Sequence, residues 1–255
     1  MKSEYQKWQS KNRSGLILPR WNGSDFAPDL YRDLPDSPHA SICKSGRRLK
    51  AAANGTYFVK RYSHTGFLKC LLHIFTPSRP HLGLSGSLRA KAAGIATPEV
   101  IAAVREKKYG ILPYRDWLIT SDLVGNAVFS SELPLTKELA KNLTALAVIL
   151  HNAGKIHGDA QLRNLYRDTA AGKWGVIDLD GCRLFSHPVS RRNRRKELAR
   201  LASSFSRMAV FKNISLDWDV PAEFAKYYRE LCGMDLDDAA YRKRFHYLDK
   251  RIRKS

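Results

Sequence analysis

The stretch Lys155-Ile156-His157-Gly158-Asp159-Ala160-Gln161-Leu162-Arg163-Asn164-Leu165-Tyr166 is followed by Trp174-Gly175-Val176-Ile177-Asp178-Leu179-Asp180-Gly181, an apolar run that ends in a carboxylate. Reduced to its polar skeleton this is His-Gly-Asp-x4-Asn, with Asp178 nineteen positions after Asp159. The spacing has a chemical logic. Phosphoryl transfer from ATP needs a carboxylate to orient the attacking hydroxyl and accept its proton, and Mg2+ to neutralise charge on the β- and γ-phosphates. Mg2+ takes hard oxygen ligands, usually one or two carboxylates or a side-chain amide, with phosphates and water completing the octahedron. A loop that places Asp159 and Asn164 five residues apart can aim one at the hydroxyl and the other at the metal, and Asp178 at a strand end supplies a second ligand. About 100 residues upstream, Val59-Lys60 fits the strand lysine that grips the α- and β-phosphates. Each piece alone is ordinary: Asp159 could be a turn residue and Lys60 a solvated strand lysine. Together and in this order they point to one chemistry. His157 reads as a loop residue packing behind Asp178, and Asp159 as the base.

Outward from this stretch, the helix before it is the clearest element. Leu139, Leu143, Leu146 and Leu150 mark one face of a 3.6-period helix from about Thr136 to Asn152. Thr136 can serve as N-cap and Gly154 as a left-handed stop. Further helices are expected over Arg194–Met208 and between Pro221 and Ile252. Upstream the pattern becomes sheet-like: Asn54-Gly55 is a hairpin signal, and Thr56 to Tyr62 is β-branched and aromatic-rich. Gly66–Phe75 and Leu82–Ala93 read as helices, and residues 99–120 as two strands around the Glu106–Gly110 turn. Residues 1–36, polar and with three prolines, read as an extended arm. The domains expected are an arm over 1–36, a β-rich lobe over 37–121 and a helical lobe over 122–255, an α+β layout.

The 255 residues include 44 Lys or Arg against 24 Asp or Glu, a formal net charge of +20. An apolar fraction of 44% suffices for a large core and excludes disorder. No window has enough uninterrupted apolar residues to span a bilayer, and no secretory h-region is visible at the N-terminus. Four separated cysteines with no CxxC pair argue against a zinc site or disulfide framework and fit a reducing cytosol. The positive charge is uneven. Residues 37–98 contain no Asp or Glu but ten Lys or Arg, and basic clusters recur at Arg191–Lys196 and Arg242–Lys254. Such a field attracts phosphates, nucleic acid or an anionic leaflet.

At these residues the chain resembles the lipopolysaccharide kinase family, the Kdo/heptose (WaaP-type) kinases, over about residues 45–210. Gly55 to Tyr62 is similar to that family's nucleotide-lysine strand, Gly94-Ile95-Ala96-Thr97-Pro98 to its Gly-Ile-x-Thr-Pro segment, and Glu197 to Phe205 to its following helix. The resemblance implies a bilobal protein-kinase-like fold with a β-rich N-lobe and a helical C-lobe. It implies ATP as donor, Mg2+ as cofactor and a heptose or Kdo hydroxyl of the lipopolysaccharide inner core as acceptor, at the cytoplasmic face of the inner membrane. It would make Asp159 catalytic, Lys60 the cofactor-binding lysine, and Asn164 and Asp178 the metal ligands.

The chain departs from the protein-kinase pattern in three places. No acid lies between Arg61 and Pro98 to supply a helix-borne partner for Lys60, no GxGxxG is present, and Asp178-Leu179-Asp180 replaces Asp-Phe-Gly. Asp180 could assist the metal or pair with an arginine. Two other readings stay open: a pseudokinase or kinase-like binding protein without turnover, or a RIO-like protein kinase. Nucleic acid is not expected as a partner, because aromatics are not interleaved with the Arg run. Arg191–Lys196 is either a solvated helix start or a contact for anionic lipid and core phosphates.

Overall fold

The computed structural model of the chain describes residues 5–10, 13–19, 41–45, 49–53, 57–64, 66–123 and 127–252. These fall into two compact units, one drawn from Met1–Ser87 and Pro98–Gly125, the other from Leu88–Thr97 and Asn126–Ser255.

The first unit is built on one antiparallel sheet. Its strands are β1 (Gln6–Ser10), β2 (Arg13–Ile17), β3 (Ser41–Ser45), β4 (Leu49–Ala53), β5 (Tyr57–Ser63), β6 (Val100–Lys108) and β7 (Leu112–Ser121), in the order β1-β2-β6-β7-β5-β4-β3. The runs Val100–Val104 and Trp117–Ile119 are continuously apolar because both faces of the sheet are covered. Ile17, Val59, Ile101, Val104, Trp117 and Ile119 fill one side. Tyr5, Tyr62, Val100, Ala103 and Leu118 pack on the other with Leu84 of α2 (Arg79–Ala92). Pro80 is the second residue of that helix, within the first turn, where a missing N–H costs nothing. A shorter helix, α1 (Phe67–Leu72), follows β5. The turn expected at Asn54-Gly55 lies outside the described residues, though its flanking strands β4 and β5 pair antiparallel.

Within the segment read as an arm, β1 and β2 pair with each other, and β2 pairs with β6 from Arg13 opposite Glu106 to Ile17 opposite Ala102. Ile17 and Leu18 are buried there, and Tyr5 donates its hydroxyl to the Val100 carbonyl at 2.6 Å. Hydrophobic contact and sheet pairing hold these residues; the sequence shows little of it because β1 is an edge strand with a polar outer side.

The second unit is helical, with α3 (Lys137–Asn152), α4 (Arg191–Phe211), α5 (Val220–Cys232) and α6 (Ala239–Ile252). The Thr136 hydroxyl caps α3 by accepting from the Leu139 N–H at 3.1 Å. All four stripe leucines of α3 are buried, against Leu198, Leu201 and Phe205 of α4, Phe224 and Tyr228 of α5, and Tyr241 and Phe245 of α6. Gly154 stops the helix with φ +69°; a Cβ there would lie 2.6 Å from the Phe185 carbonyl oxygen, so only glycine fits. A small sheet of β8 (Ala127–Phe129), β10 (Leu165–Asp168) and β11 (Lys173–Val176) and the pair β9 (Lys155–Ile156) with β12 (Arg183–Leu184) complete the unit. Residues 94–97 of the Gly-Ile-x-Thr-Pro segment belong to this unit, and Pro98 begins the return to the first. Ile95 is buried in its core, and Ala96 bridges Gly175 in parallel, accepting from the Val176 N–H at 2.9 Å.

Candidate active site

The loop after α3 is set by β9, which runs Lys155-Ile156 into the core before the chain turns at His157-Gly158. Gly158 holds φ +87°, and a Cβ there would sit 2.5 Å from the Gly181 carbonyl oxygen. That close approach brings the Asp159 loop against the segment containing Asp178 and Asp180. Asp159 and Asn164 meet directly: Asn164 Nδ2 donates to the Asp159 carbonyl at 2.8 Å and to Asp159 Oδ2 at 3.2 Å. Gln161 Nε2 donates to Asp159 Oδ1 at 2.5 Å, and Arg200 Nη1 donates to the same oxygen at 3.2 Å and to the Gly158 carbonyl. The Asp159 side chain keeps 36% exposure, so the carboxylate is held in place yet reachable.

Asn164 is buried in a short 3-10 turn, Leu162–Asn164. Both side-chain bonds leave from Nδ2, which turns Oδ1 into the atom free to ligate a cation. Its carbonyl accepts from the Ile177 N–H at 2.9 Å, which ties Asp178 to the same loop by one covalent step. Asp178 itself has φ +62°, a left-handed conformation that costs a non-glycine residue about 1 kcal/mol. Strain of this kind persists only where surrounding structure enforces it; here the Ile177–Asn164 bond and the following 3-10 turn, Leu179–Gly181, do so. Among the described residues no three His, Cys, Asp or Glu side chains form a metal cage. An amide oxygen and one or two carboxylates are instead the donor set that suits Mg2+ shared with phosphates. Lys60 lies on β5 in the first unit, its Nζ 5.8 Å from the centroid of the Phe58 ring.

Behind the loop is a buried polar network that sequence reading did not find. His157 is fully buried; its N–H donates to Glu197 Oε1 at 2.7 Å, and its Nδ1 accepts from the Asp159 N–H at 3.3 Å. That leaves the ring proton on Nε2, which has no partner among the described residues. Lys155 is also fully buried, and burial lowers its pKa to about 8 against the pull of Cys182 and Glu197. Arg194 of α4 donates to the Val189 carbonyl at 2.6 Å, Asn152 Oδ1 at 3.0 Å and the Tyr228 hydroxyl at 2.9 Å, and His151 Nδ1 bonds the same hydroxyl at 2.9 Å. Glu197 and Arg200 stand three apart on α4, one bracing the loop from the buried side and the other from the solvent side. The i, i+3 spacing of opposite charges is the one sequence signal that could have flagged them.

Burial lowers the pKa of His157, outweighing the opposite pull of Glu197, Asp178 and Asp159, and Lys155 adds to the lowering. Its folded value therefore lies below the ordinary 6.5, so the unfolded chain binds more protons in that window. Stability rises with pH up to the unfolded value and is lost as pH falls below it. Urea midpoints taken between pH about 5 and about 7 should show this slope, and His157→Gln should flatten it. His73 and His81 are also lowered by burial, so the difference between the two proteins is the quantity to read.

The run Arg191–Lys196 is not a free basic surface. Arg194 is buried, Arg195 pairs with Asp238, and Arg191 donates to the Asp235 carbonyl at 2.9 Å. In the C-terminal cluster Arg242 is held by Asp237 at 2.6 Å and Asp219 at 2.7 Å, which raises its pKa further. These arginines fasten α4 and α6 to the acidic stretch between them. Of the two readings of Arg191–Lys196, a solvated helix start or a contact for anionic lipid and core phosphates, the second has fewer cations to draw on, because three of the five have partners within the fold.

A strand-built first unit, a helical second unit, and a loop joining Asp159 to Asn164 beside a strand-end Asp178 are the layout of a protein-kinase-like phosphotransferase. The sequence profile of the lipopolysaccharide kinase (Kdo/WaaP) family matches residues 88–228, more than half of the chain. The chain belongs to that family and is a kinase. Among solved structures it is similar to WaaP in complex with acyl carrier protein, at 18% identity and a TM-score of 0.60, covering 92% of this chain and 94% of that one. It is also similar to a glucosamine kinase in complex with glucosamine, ADP and inorganic phosphate, at 14% identity and a TM-score of 0.53, covering 97% of this chain and 88% of that one. Both likenesses show the protein-kinase-like fold. A comparison with curated proteins returns no match.

Proposed function

We propose that this chain transfers the γ-phosphoryl group of ATP to a hydroxyl of a heptose or Kdo sugar in the lipopolysaccharide inner core, at the inner face of the inner membrane. The observation that carries the reading is the Asp159–Asn164 pair, in which the amide holds the carboxylate through Nδ2 and keeps Oδ1 for a cation. Asp159 orients the acceptor hydroxyl and takes its proton as the hydroxyl oxygen bonds to the γ-phosphorus and ADP leaves with the bridging oxygen. Asn164 and Asp178 would hold Mg2+, which supplies charge neutralisation on the phosphates when bound. Lys60 would grip the α- and β-phosphates. Gln161 and Arg200 fix the Asp159 carboxylate between them, so that little reorganisation is needed at the moment of transfer.

The test is transfer of labelled γ-phosphate by the purified protein to deacylated lipopolysaccharide core lacking that phosphate. The expected result is one phosphate added per acceptor, dependent on Mg2+, with the modified sugar identified by mass fragmentation. ATP hydrolysis without sugar labelling, or labelling of protein in place of sugar, would overturn the acceptor assignment.

A further inference from the structure

The first unit exposes apolar side chains at one end of its sheet. On α1 and the segment after it, Phe67 is 68% exposed, Leu72 69% and Phe75 85%, with Leu71 beside them. At the turn between β6 and β7, Tyr109 is 78% exposed and Ile111 67%. The two sets share that end. β5 runs antiparallel to β7, with Ser63 opposite Arg115, and the His64 N–H donates to the Tyr114 carbonyl at 3.0 Å, so α1 starts where the β6–β7 turn stands. Cys70 and Ile74 take the inner side: Cys70 Sγ lies 3.8 Å from the His64 carbonyl, and Ile74 lines a groove with Ile111 and Pro113. What faces water is therefore a set of large apolar side chains, on a segment whose inner side is apolar as well.

The turn itself is built against preference. Tyr109 and Gly110 both hold positive φ, +53° and +72°, and Tyr109 does so with its ring in solvent. A tight hairpin of this kind takes Asn or Asp at the first position at lower cost than an aromatic. An aromatic paid for in strain and left exposed has no role in the core of the unit.

The charge around the patch is positive. Lys108 lies over the Tyr109 ring at 5.2 Å and Arg115 over the Tyr114 ring at 4.5 Å. Asp116 is buried and bonded by His64 and by Arg105, so its negative charge does not reach solvent. The chain from Arg61 to Pro98, which carries α1, has no acid at all. Exposed Phe and Leu with cation–aromatic pairs at the rim match the boundary between lipid headgroups and acyl chains, where apolar burial and attraction to anionic lipid act together.

We propose that Phe67, Leu72 and Phe75, with the Tyr109–Ile111 turn, form the surface by which the chain docks on an anionic bilayer. The inference deepens the proposed function, whose acceptor is a membrane glycolipid, but it stands on this surface alone. The test is flotation of the full chain with phosphatidylcholine vesicles with and without phosphatidylglycerol. The wild type should bind the anionic vesicles, and Leu72→Ser with Phe75→Ser should weaken binding about a hundredfold. Lys107→Gln with Lys108→Gln should weaken it about tenfold and remove most of its salt dependence. Unchanged melting temperatures would certify both variants as folded, and transfer to a deacylated, water-soluble core should be as in the wild type. Failure of every protein to phosphorylate that core would strike the proposed function while leaving the flotation result intact. The docking surface is overturned by a wild type that does not float, by equal flotation with and without phosphatidylglycerol, or by serine variants that float like the wild type. A dimer of the wild type that the serine variants dissolve, with no vesicle binding, would likewise overturn it and give the face to a second copy of the chain.

Discussion

Replacement of Asp159 by alanine is expected to lower kcat for phosphoryl transfer by about a thousandfold, because a positioned proton acceptor contributes a factor of that order. Asp159→Asn is the sharper variant. It can keep the bond from Gln161 and the packing beside Asn164, so a loss of similar size in that variant would trace to the missing base and not to a displaced loop. ATP affinity, read by calorimetry with Mg2+, should change only a few-fold in either variant, about 1 kcal/mol at most. A variant retaining more than about a tenth of wild-type kcat would sink the assignment of Asp159 as base. Should Asn164→Ala instead raise the Mg2+ requirement while kcat at saturation changes less, the division of labour within the pair is the one drawn above.

The second large effect lies behind the site. Glu197→Ala removes the acceptor of the buried His157 N–H and the carboxylate whose charge partly offsets the burial cost of Lys155. Its Oε2 is also 3.5 Å from His151 Nε2. Leaving the buried His157 donor without its acceptor, and Lys155 with less to offset its burial, costs up to about 3 kcal/mol. With total stabilities of about 5–15 kcal/mol for ordinary domains, that is a large share. Urea unfolding is the measurement; Glu197→Gln, which keeps an acceptor oxygen but no charge, should fall between wild type and alanine. A loss below about 1 kcal/mol for Glu197→Ala would mean the network is not what holds the loop.

The parts of this structure that could be read beforehand are those whose cause is local. The leucine stripe of α3 is a matter of 3.6-residue spacing, and each leucine of it is buried. The His-Gly-Asp-x4-Asn run places Asp159 and Asn164 within hydrogen-bond reach because a single short turn joins them. Glu197 and Arg200 act on the same loop from about forty residues downstream, where their i, i+3 spacing is the one local signal and does not say what they hold. Arg192 and Arg194 look alike in sequence, yet one is exposed and the other buried, and the difference is made by Tyr228 and Asn152 on other helices. Lys155 is fully buried although lysine is by type a surface residue. The polar hairpin β1–β2 gave no alternating signal because only its inner residues, with Tyr5 and Leu18 beside them, are drawn against the sheet.

The interleaving of the two units along the chain bears on the order in which they can be completed during synthesis. Residues 88–97 leave the ribosome early but belong to a core whose other members, from Leu135 to Phe245, are made later. Ala90 and Ile95 therefore wait without their packing partners, and Ala96 waits without Gly175, while β6 and β7 emerge and finish the first sheet. N-terminal parts generally fold first on the ribosome, but here the early unit cannot close over its own sequence without holding a loan of ten residues for the later one. Translation, and not only sequence, thus meets a chain in which neither half is a separable piece.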